Sequence, residues 1–261
     1  MSIRNVFETI TSFENLMLAE RDSARDKRYD LDVLMFRKDY EDNLFELQDR
    51  MRNLNMPKVH YKMFFVYVPK VRRVIYTDYK TKIIQRAIYN VLNPLVCKGF
   101  IEDTYACIPG RGQLAAMLRL KSWFENTLHS NEKWYYYKFD IKKFFYRIDH
   151  DVMMSILEKK IGDKNTIELL RYYICNSGKA FGLPLDADHL TIREEDMLWD
   201  VGIPIGGGLS HMLGNMYLDP LDQCAKRELR IKRFIRYADD GIFVETEKKT
   251  MREKGLYSSA T

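Results

Sequence analysis

Ten consecutive residues constrain this chain more than any others: Ile235-Arg236-Tyr237-Ala238-Asp239-Asp240-Gly241-Ile242-Phe243-Val244. Apolar runs flank an acidic centre. The pattern predicts a β-hairpin with Asp239-Asp240-Gly241 at or near its turn, because Asp and Gly tolerate the positive φ of tight turns. Adjacent carboxylates at a hairpin tip repel each other, and a divalent metal is the strongest candidate for holding both ionised. Taken alone, an Asp-Asp-Gly is more simply an exposed acidic turn. Here a second predicted strand, Tyr135-Tyr136-Tyr137-Lys138-Phe139-Asp140-Ile141, carries a matching carboxylate near its end. Aromatic and apolar residues on both of its faces predict a covered strand. A carboxylate there is costly unless paired or metal-bound, so Asp140 joins Asp239 and Asp240 as a site candidate.

The rest of the composition narrows the partners. The 261 residues suffice for one large domain or two small ones, with 46% hydrophobic and 30% charged residues as in a globular protein with a core. The formal net charge of +5 is compatible with a polyanionic partner. Cys97, Cys107, Cys175 and Cys224 form no C-x-x-C pair and have no His at zinc-ligand spacing, so they read as reduced thiols of a cytoplasmic protein. No apolar run approaches the ~18–20 residues of a membrane span, and the N-terminus lacks a signal core.

In chain order, apolar spacing predicts an amphipathic helix over 3–20 and another from Phe36 to Leu54, ended by Asn55-Met56-Pro57. A strand is predicted from Tyr61 to Tyr67, closed by Pro69. Lys70, Arg72 and Arg73 then lead into Val74-Ile75-Tyr76; three cations there suit a triphosphate or a backbone phosphate, or form a charged hairpin tip. Asp78 is a predicted N-cap for a helix that Pro94 limits. The loop Thr104–Gly112 holds Arg111 between two glycines at a helix start, where it could meet a phosphate. Asp149 and Asp151 start a further helix, 165–176 is helical, and 177–200 reads as a loop.

Gly206-Gly207-Gly208 lets a backbone approach a flat ligand such as a base pair, and a helix follows from Leu209 to Leu221. His211 has no second His nearby and reads as a hydrogen-bonding helix residue. Lys226, Arg227, Arg230, Lys232, Arg233 and Arg236 crowd the stretch before the acidic hairpin, where a nucleic-acid backbone is the expected partner.

Together these segments resemble the reverse transcriptases. Tyr237-Ala238-Asp239-Asp240 looks like their Y-x-D-D box, and Phe139-Asp140-Ile141-Lys142-Lys143-Phe144-Phe145 resembles their first catalytic box. Ile205-Gly206-Gly207-Gly208-Leu209-Ser210 is similar to the Q-G-x-x-x-S box, and Lys70-Val71-Arg72-Arg73-Val74-Ile75 to the fingers segment that holds the incoming triphosphate. The boxes stand in the family's order over roughly residues 60–245. Thr104-Tyr105-Ala106-Cys107, Gly202-Ile203-Pro204-Ile205-Gly206, and Ile205 in place of the usual Gln most resemble bacterial enzymes of diversity-generating retroelements and their mobile-element relatives. His211 and Ala238 depart from that subfamily, which leaves group II intron and retron types as alternatives.

The resemblance implies an α+β, right-hand polymerase fold of fingers and palm, with an antiparallel palm sheet and packed helices. The family continues after its Y-x-D-D hairpin into a helical thumb; only Glu245 to Thr261 follow here, so the thumb is expected to be absent, by fragmentation or by natural truncation. The expected divisions are an N-terminal helical extension over 1–60, fingers over 61–133, and palm with part of the fingers over 134–261. It implies two Mg²⁺ ions, replaceable by Mn²⁺, at Asp140, Asp239, Asp240 and the Ile141 carbonyl, roughly 3.5–4 Å apart. One would activate the primer 3′-hydroxyl; the other would hold the triphosphate and the leaving pyrophosphate. Lys70 and Arg72 would neutralise the triphosphate, Phe145 would be the steric gate against a ribose 2′-hydroxyl, and Gly206 would lie under the nascent base pair. The implied partners are an RNA template, a DNA or RNA primer, dNTP and a small basic accessory protein, with no membrane. The implied setting is a bacterial or phage cytoplasm. Two other readings are a non-catalytic nucleic-acid-binding remnant and an unrelated metal-dependent phosphodiesterase that cleaves with the same carboxylates.

Overall fold

The computed structural model describes residues 2–56, 58–69, 71–175, 178–205 and 207–246. In chain order the elements are α1 (Phe7–Ile10), α2 (Phe13–Ser23), α3 (Leu31–Lys38), α4 (Tyr40–Arg52), β1 (Tyr61–Val66), β2 (Arg72–Thr77), α5 (Tyr79–Val96), α6 (Gln113–Leu128), β3 (Tyr135–Asp140), α7 (His150–Lys160), α8 (Lys164–Cys175), α9 (Gly208–Gln223), β4 (Arg233–Tyr237) and β5 (Asp240–Glu245). This is the expected α+β class, with two small antiparallel sheets. The elements sort into two compact units, each made of two separated stretches: Met1–Lys98 with Lys143–Tyr217, and Gly99–Lys142 with Leu218–Thr261. The expectation of a missing thumb concerns the stretch from 247 onward, which lies outside the described residues.

In the first unit α2 packs on α4 and α5. Both helices predicted over 3–20 and 36–54 are broken in two. Ser12 ends the first by capping the second, its hydroxyl accepting from Asn15 N at 3.2 Å. The Asn15 amide then donates to the carbonyls of Ile10 and Ala87, tying the break to α5. Asp39 breaks the other pattern, and Asn43 Nδ2 bridges back to the Phe36 carbonyl at 3.0 Å. Hydrophobic spacing runs through both breaks because the two halves bury the same side, so periodicity alone hides them. Asp78 caps α5 as expected, accepting from Thr81 N at 2.9 Å. Pro94 does not end α5; the helix continues through it to Val96, which is buried.

β1 and β2 pair antiparallel from Tyr61 opposite Thr77 to Val66 opposite Arg72. The second stretch of this unit begins with Phe144–Tyr146 in a 3₁₀ turn and continues into α7, whose N-cap Asp149 accepts from Val152 N. The 178–200 segment is irregular and organised on a small buried cluster of Ala180, Leu183 and Met197. Gly202 closes the loop at φ +90°, and a Cβ there would meet the Phe181 backbone at 2.6 Å, so the position requires glycine on both counts.

The second unit is a three-stranded sheet in the order β3-β5-β4. Alternate residues of β4 and β5 enter different clusters: Ile235 and Val244 join Tyr105, Ala116 and Trp123, while Phe234 and Phe243 join Ala225 and Ile231. These two strands are covered on both faces. β3 is not, contrary to expectation. Like β4 it lies at an edge of the sheet among the described residues, but its exposure alternates, and Tyr136 is 69% exposed. A run of aromatics reads as buried because each ring is apolar, yet a strand of an antiparallel sheet can set only one face against the core.

Candidate active site

The acidic hairpin forms, with its turn one residue earlier than expected. Tyr237 pairs with Asp240, so the two-residue loop is Ala238-Asp239. The positive φ falls on Ala238, at +55°, and not on Asp or Gly. An alanine there costs about 1–2 kcal/mol. Gly241 serves a different purpose. It lies in β5 under the Phe139 ring, which occupies the place a Cβ would take.

What holds the strained turn is a buried ion pair. Arg236 and Asp222 are each 0% exposed. The guanidinium donates from Nε and Nη2 to the two Asp222 oxygens at 2.7 and 2.8 Å, and from Nη1 to the Ala238 carbonyl at 2.7 Å. Thr104 Oγ1 donates to the same carboxylate at 2.8 Å. The backbone of Arg236 is fixed as well, its N–H donating to the Asp103 carbonyl and its carbonyl accepting from Tyr105 N, both at 3.0 Å. Sequence reasoning missed this cluster and grouped Arg236 with cations facing nucleic acid. Strand parity carried the signal: Arg236 is two residues from Phe234 and shares its inward face.

Asp140 and Asp240 stand directly opposite each other in the β3–β5 register. Ile141 N donates to the Asp239 carbonyl at 3.3 Å, so the end of β3 is joined to the turn. The Asp239 carboxyl is pushed above its ordinary pKa by burial first and then by the charges of Asp140 and Asp240, with a backbone hydrogen bond and, more weakly, Arg236 opposing. Asp240 is paired: Lys138 Nζ lies 3.0 Å from its Oδ1, and that hydrogen bond raises the lysine. Among the described residues no three His, Cys, Asp or Glu side chains converge as a ready metal cage. The donor chemistry still fits a hard divalent cation, because oxygen ligands carry mutually repelling charge. Asp140, Asp239 and Asp240 supply such oxygens at this end of the sheet, Asp240 also meeting Lys138.

The expected nucleotide-side residues belong to the first unit. Lys70 and Gly206 lie outside the described residues, and of Arg72 only the backbone position opposite Val66 is described. Arg73 is buried and paired with Glu194 at 3.4 Å. Phe145 is half-buried in the 3₁₀ turn. The loop carrying Ile205 is tied to that turn region: Ile203 N donates to the Phe145 carbonyl at 2.9 Å, Gly202 N to Ile148 at 2.7 Å, and His150 Nε2 to the Gly202 carbonyl at 2.7 Å. Ile205 also lines a cavity of about 610 Å³ with Phe64, Tyr76, Lys82, Gln85 and Ser210.

The candidate phosphate-binding cations divide. Arg111 donates to the carbonyls of Ile101 and Thr104, and Lys226 to Asp103 at 2.8 Å and the Lys232 carbonyl at 2.7 Å. Both act as internal ties. Arg233 lies over the Trp134 ring at 4.2 Å. Arg227, Arg230 and Lys232 are exposed.

Comparison with known proteins agrees with the family that the motifs resemble. The family model described as reverse transcriptase (RNA-dependent DNA polymerase) matches residues 57–256. An uncharacterized 91 kDa protein in the cob intron of Schizosaccharomyces pombe is 32% identical over 145 residues, 55% of this chain and 16% of its own length. A putative COX1/OXI3 intron 2 protein of Saccharomyces cerevisiae is 24% identical over 144 residues, 55% of this chain and 15% of its own length. The chain thus corresponds to about a sixth of these relatives. No described helix is long and apolar enough to cross a membrane.

Proposed function

Because the chain belongs to the reverse transcriptase (RNA-dependent DNA polymerase) family, we propose that it copies RNA into DNA for a retroelement, with Asp140, Asp239 and Asp240 as its chemical centre. The observation that carries this reading is the opposition of Asp140 and Asp240 with Asp239 held in the turn beside them. Asp140 and Asp239, with the Ile141 carbonyl, would hold a divalent ion, Mg²⁺ in this reading. Such an ion supplies Lewis-acid activation of the primer 3′-hydroxyl and neutralises charge on the triphosphate. Lys138 holds the orientation of the Asp240 carboxylate. Arg236 fixes the carbonyl of the turn residue before Asp239. In the same reading 61–133 serves as fingers and 134–261 as palm, Phe145 excludes the ribose 2′-hydroxyl, and Arg227, Arg230 and Lys232 meet the duplex backbone.

The test is a labelled primer on an RNA template, with Mg²⁺ and dNTP. Lengthening by template-complementary nucleotides is expected. A primer that is shortened instead would assign these carboxylates to a phosphodiesterase, and an unchanged primer would leave a binding remnant.

Error-proneness centres on Ile205. Gln at this position could hydrogen-bond around the incoming nucleotide, and Ile has no donor or acceptor. One such bond is worth about 0.5–1.5 kcal/mol, roughly 2- to 12-fold in selectivity. Ile205→Gln should therefore lower misinsertion by a factor in that range, read by single-nucleotide insertion opposite each template base. Equal frequencies in the two proteins would remove Ile205 from the fidelity argument. The diversity-generating reading is supported by Ile205 with the Gly202-Ile203-Pro204-Ile205-Gly206 and Thr104-Tyr105-Ala106-Cys107 strings.

A further inference from the structure

We propose that His211 and Gly214, three residues apart on one face of α9, set the position of the Phe145 ring and so tune the choice between deoxyribose and ribose. The inference rests on the reading of Phe145 as the sugar gate. The backbone of Phe145 has little freedom. Its carbonyl accepts from Ile203 N, and the next carbonyl, of Tyr146, accepts from Leu183 N at 3.2 Å. What remains adjustable is the ring, and the structure surrounds it closely. Phe144 meets it at 5.1 Å between centroids and 62° between planes. The His211 imidazole meets it edge-on, at 5.5 Å and 85°. Burial holds that imidazole below its ordinary pKa, so at neutral pH the wall it offers is uncharged.

Gly214 supplies the third side by having no side chain. A Cβ there would lie 3.2 Å from Phe145 Cε1, 3.5 Å from its Cζ, and 3.1 Å from Phe144 Cε1. Both neighbours are rigid rings, so neither can fold away as a flexible chain end would. Phe144 is 5% exposed and packs on Tyr217, which leaves the half-buried Phe145 as the ring that yields. A methyl group at 214 therefore moves the ring outward from α9 by a few tenths of an ångström, which on the gate reading narrows the room for a ribose 2′-hydroxyl. Removing the His211 ring opens the opposite freedom, and the gate leans back. The two positions act in opposite directions on one ring.

The experiment is single-turnover insertion of dNTP against rNTP on a primed RNA template, with enzyme in excess. It compares the parent with Gly214→Ala, His211→Ala, His211→Phe, Phe145→Ala and the double variant Phe145→Ala/Gly214→Ala. Gly214→Ala is expected to raise the preference for dNTP a few-fold, and His211→Ala to lower it a few-fold. His211→Phe, which keeps a ring wall, should stay near the parent. Phe145→Ala should give the largest fall, with no further change on adding Gly214→Ala. A general folding defect slows both nucleotides together and leaves their ratio unmoved. If Phe145→Ala lowers the preference while the two α9 variants shift it in the same direction or not at all, the positioning role is refuted. If Phe145→Ala itself leaves the preference intact, the gate reading fails instead.

Discussion

Asp239→Asn is expected to abolish metal-dependent DNA synthesis and, in the metal-free protein, to raise the melting temperature. Loss of a ligand whose ion stabilises charge in the transition state forfeits several kcal/mol, on the order of 10³-fold or more in rate. The stability change has the opposite sign for the same electrostatic reason. Folding raises the Asp239 pKa, through burial and the nearby Asp140 and Asp240 charges. The native state therefore binds the proton more tightly than the unfolded chain does, and ionising this group costs stability as pH rises through its folded pKa. Asn removes that cost. The gain in melting temperature should be full near neutral pH, shrink as pH falls below the raised pKa, and close below the ordinary carboxylate range, where the unfolded chain is protonated as well. Thermal melts at several pH values with chelator present check this. An unchanged extension rate, or a variant that melts lower near neutral pH, would contradict the account of Asp239.

Arg236→Ala should have the largest effect on stability. It leaves Asp222, 0% exposed, with an uncompensated charge that Thr104 alone among the two side-chain donors described above still contacts. Breaking a buried pair in this way costs about 3–5 kcal/mol, a large part of the ~5–15 kcal/mol that a domain typically has. Urea unfolding measures it. The apolar double replacement Arg236→Met/Asp222→Leu separates the two roles of the arginine. Stability should largely return, because a well-packed apolar pair is often as stable as the ion pair it replaces. Extension should stay impaired, because the Ala238 carbonyl has lost its guanidinium donor and the strained turn its brace. A loss under about 1 kcal/mol for Arg236→Ala would mean that Asp222 is not buried as described.

Much of the site was legible because it is local. The hairpin, the Asp78 and Asp149 caps and the strands around Asp140 are written in short stretches whose chemistry does not depend on distant residues. What was not legible depends on partners far along the chain. Arg236 is a surface cation by composition and a core residue by virtue of Asp222, 14 positions away on α9. Lys226 likewise reads as a phosphate ligand until Asp103, 123 positions away, is brought to it. Gly241 looked like a turn residue, and only the placement of the Phe139 ring shows why no side chain fits there. The breaks at Ser12 and Asp39 escaped a periodicity argument because they preserve the apolar face. The aromatic run of β3 misled in the other direction, since ring content does not report which face the core covers.

The central claim, that the end of this sheet seats the metal for RNA-templated DNA synthesis, is tested most directly by the Mn²⁺ retained with the protein in equilibrium dialysis. The complex should contain a dideoxy-terminated primer on RNA and the matching dNTP, so that binding is read without turnover. Mn²⁺ should be retained by the parent chain and lost in both Asp140→Asn and Asp239→Asn. Retention by either variant equal to that of the parent would contradict that claim.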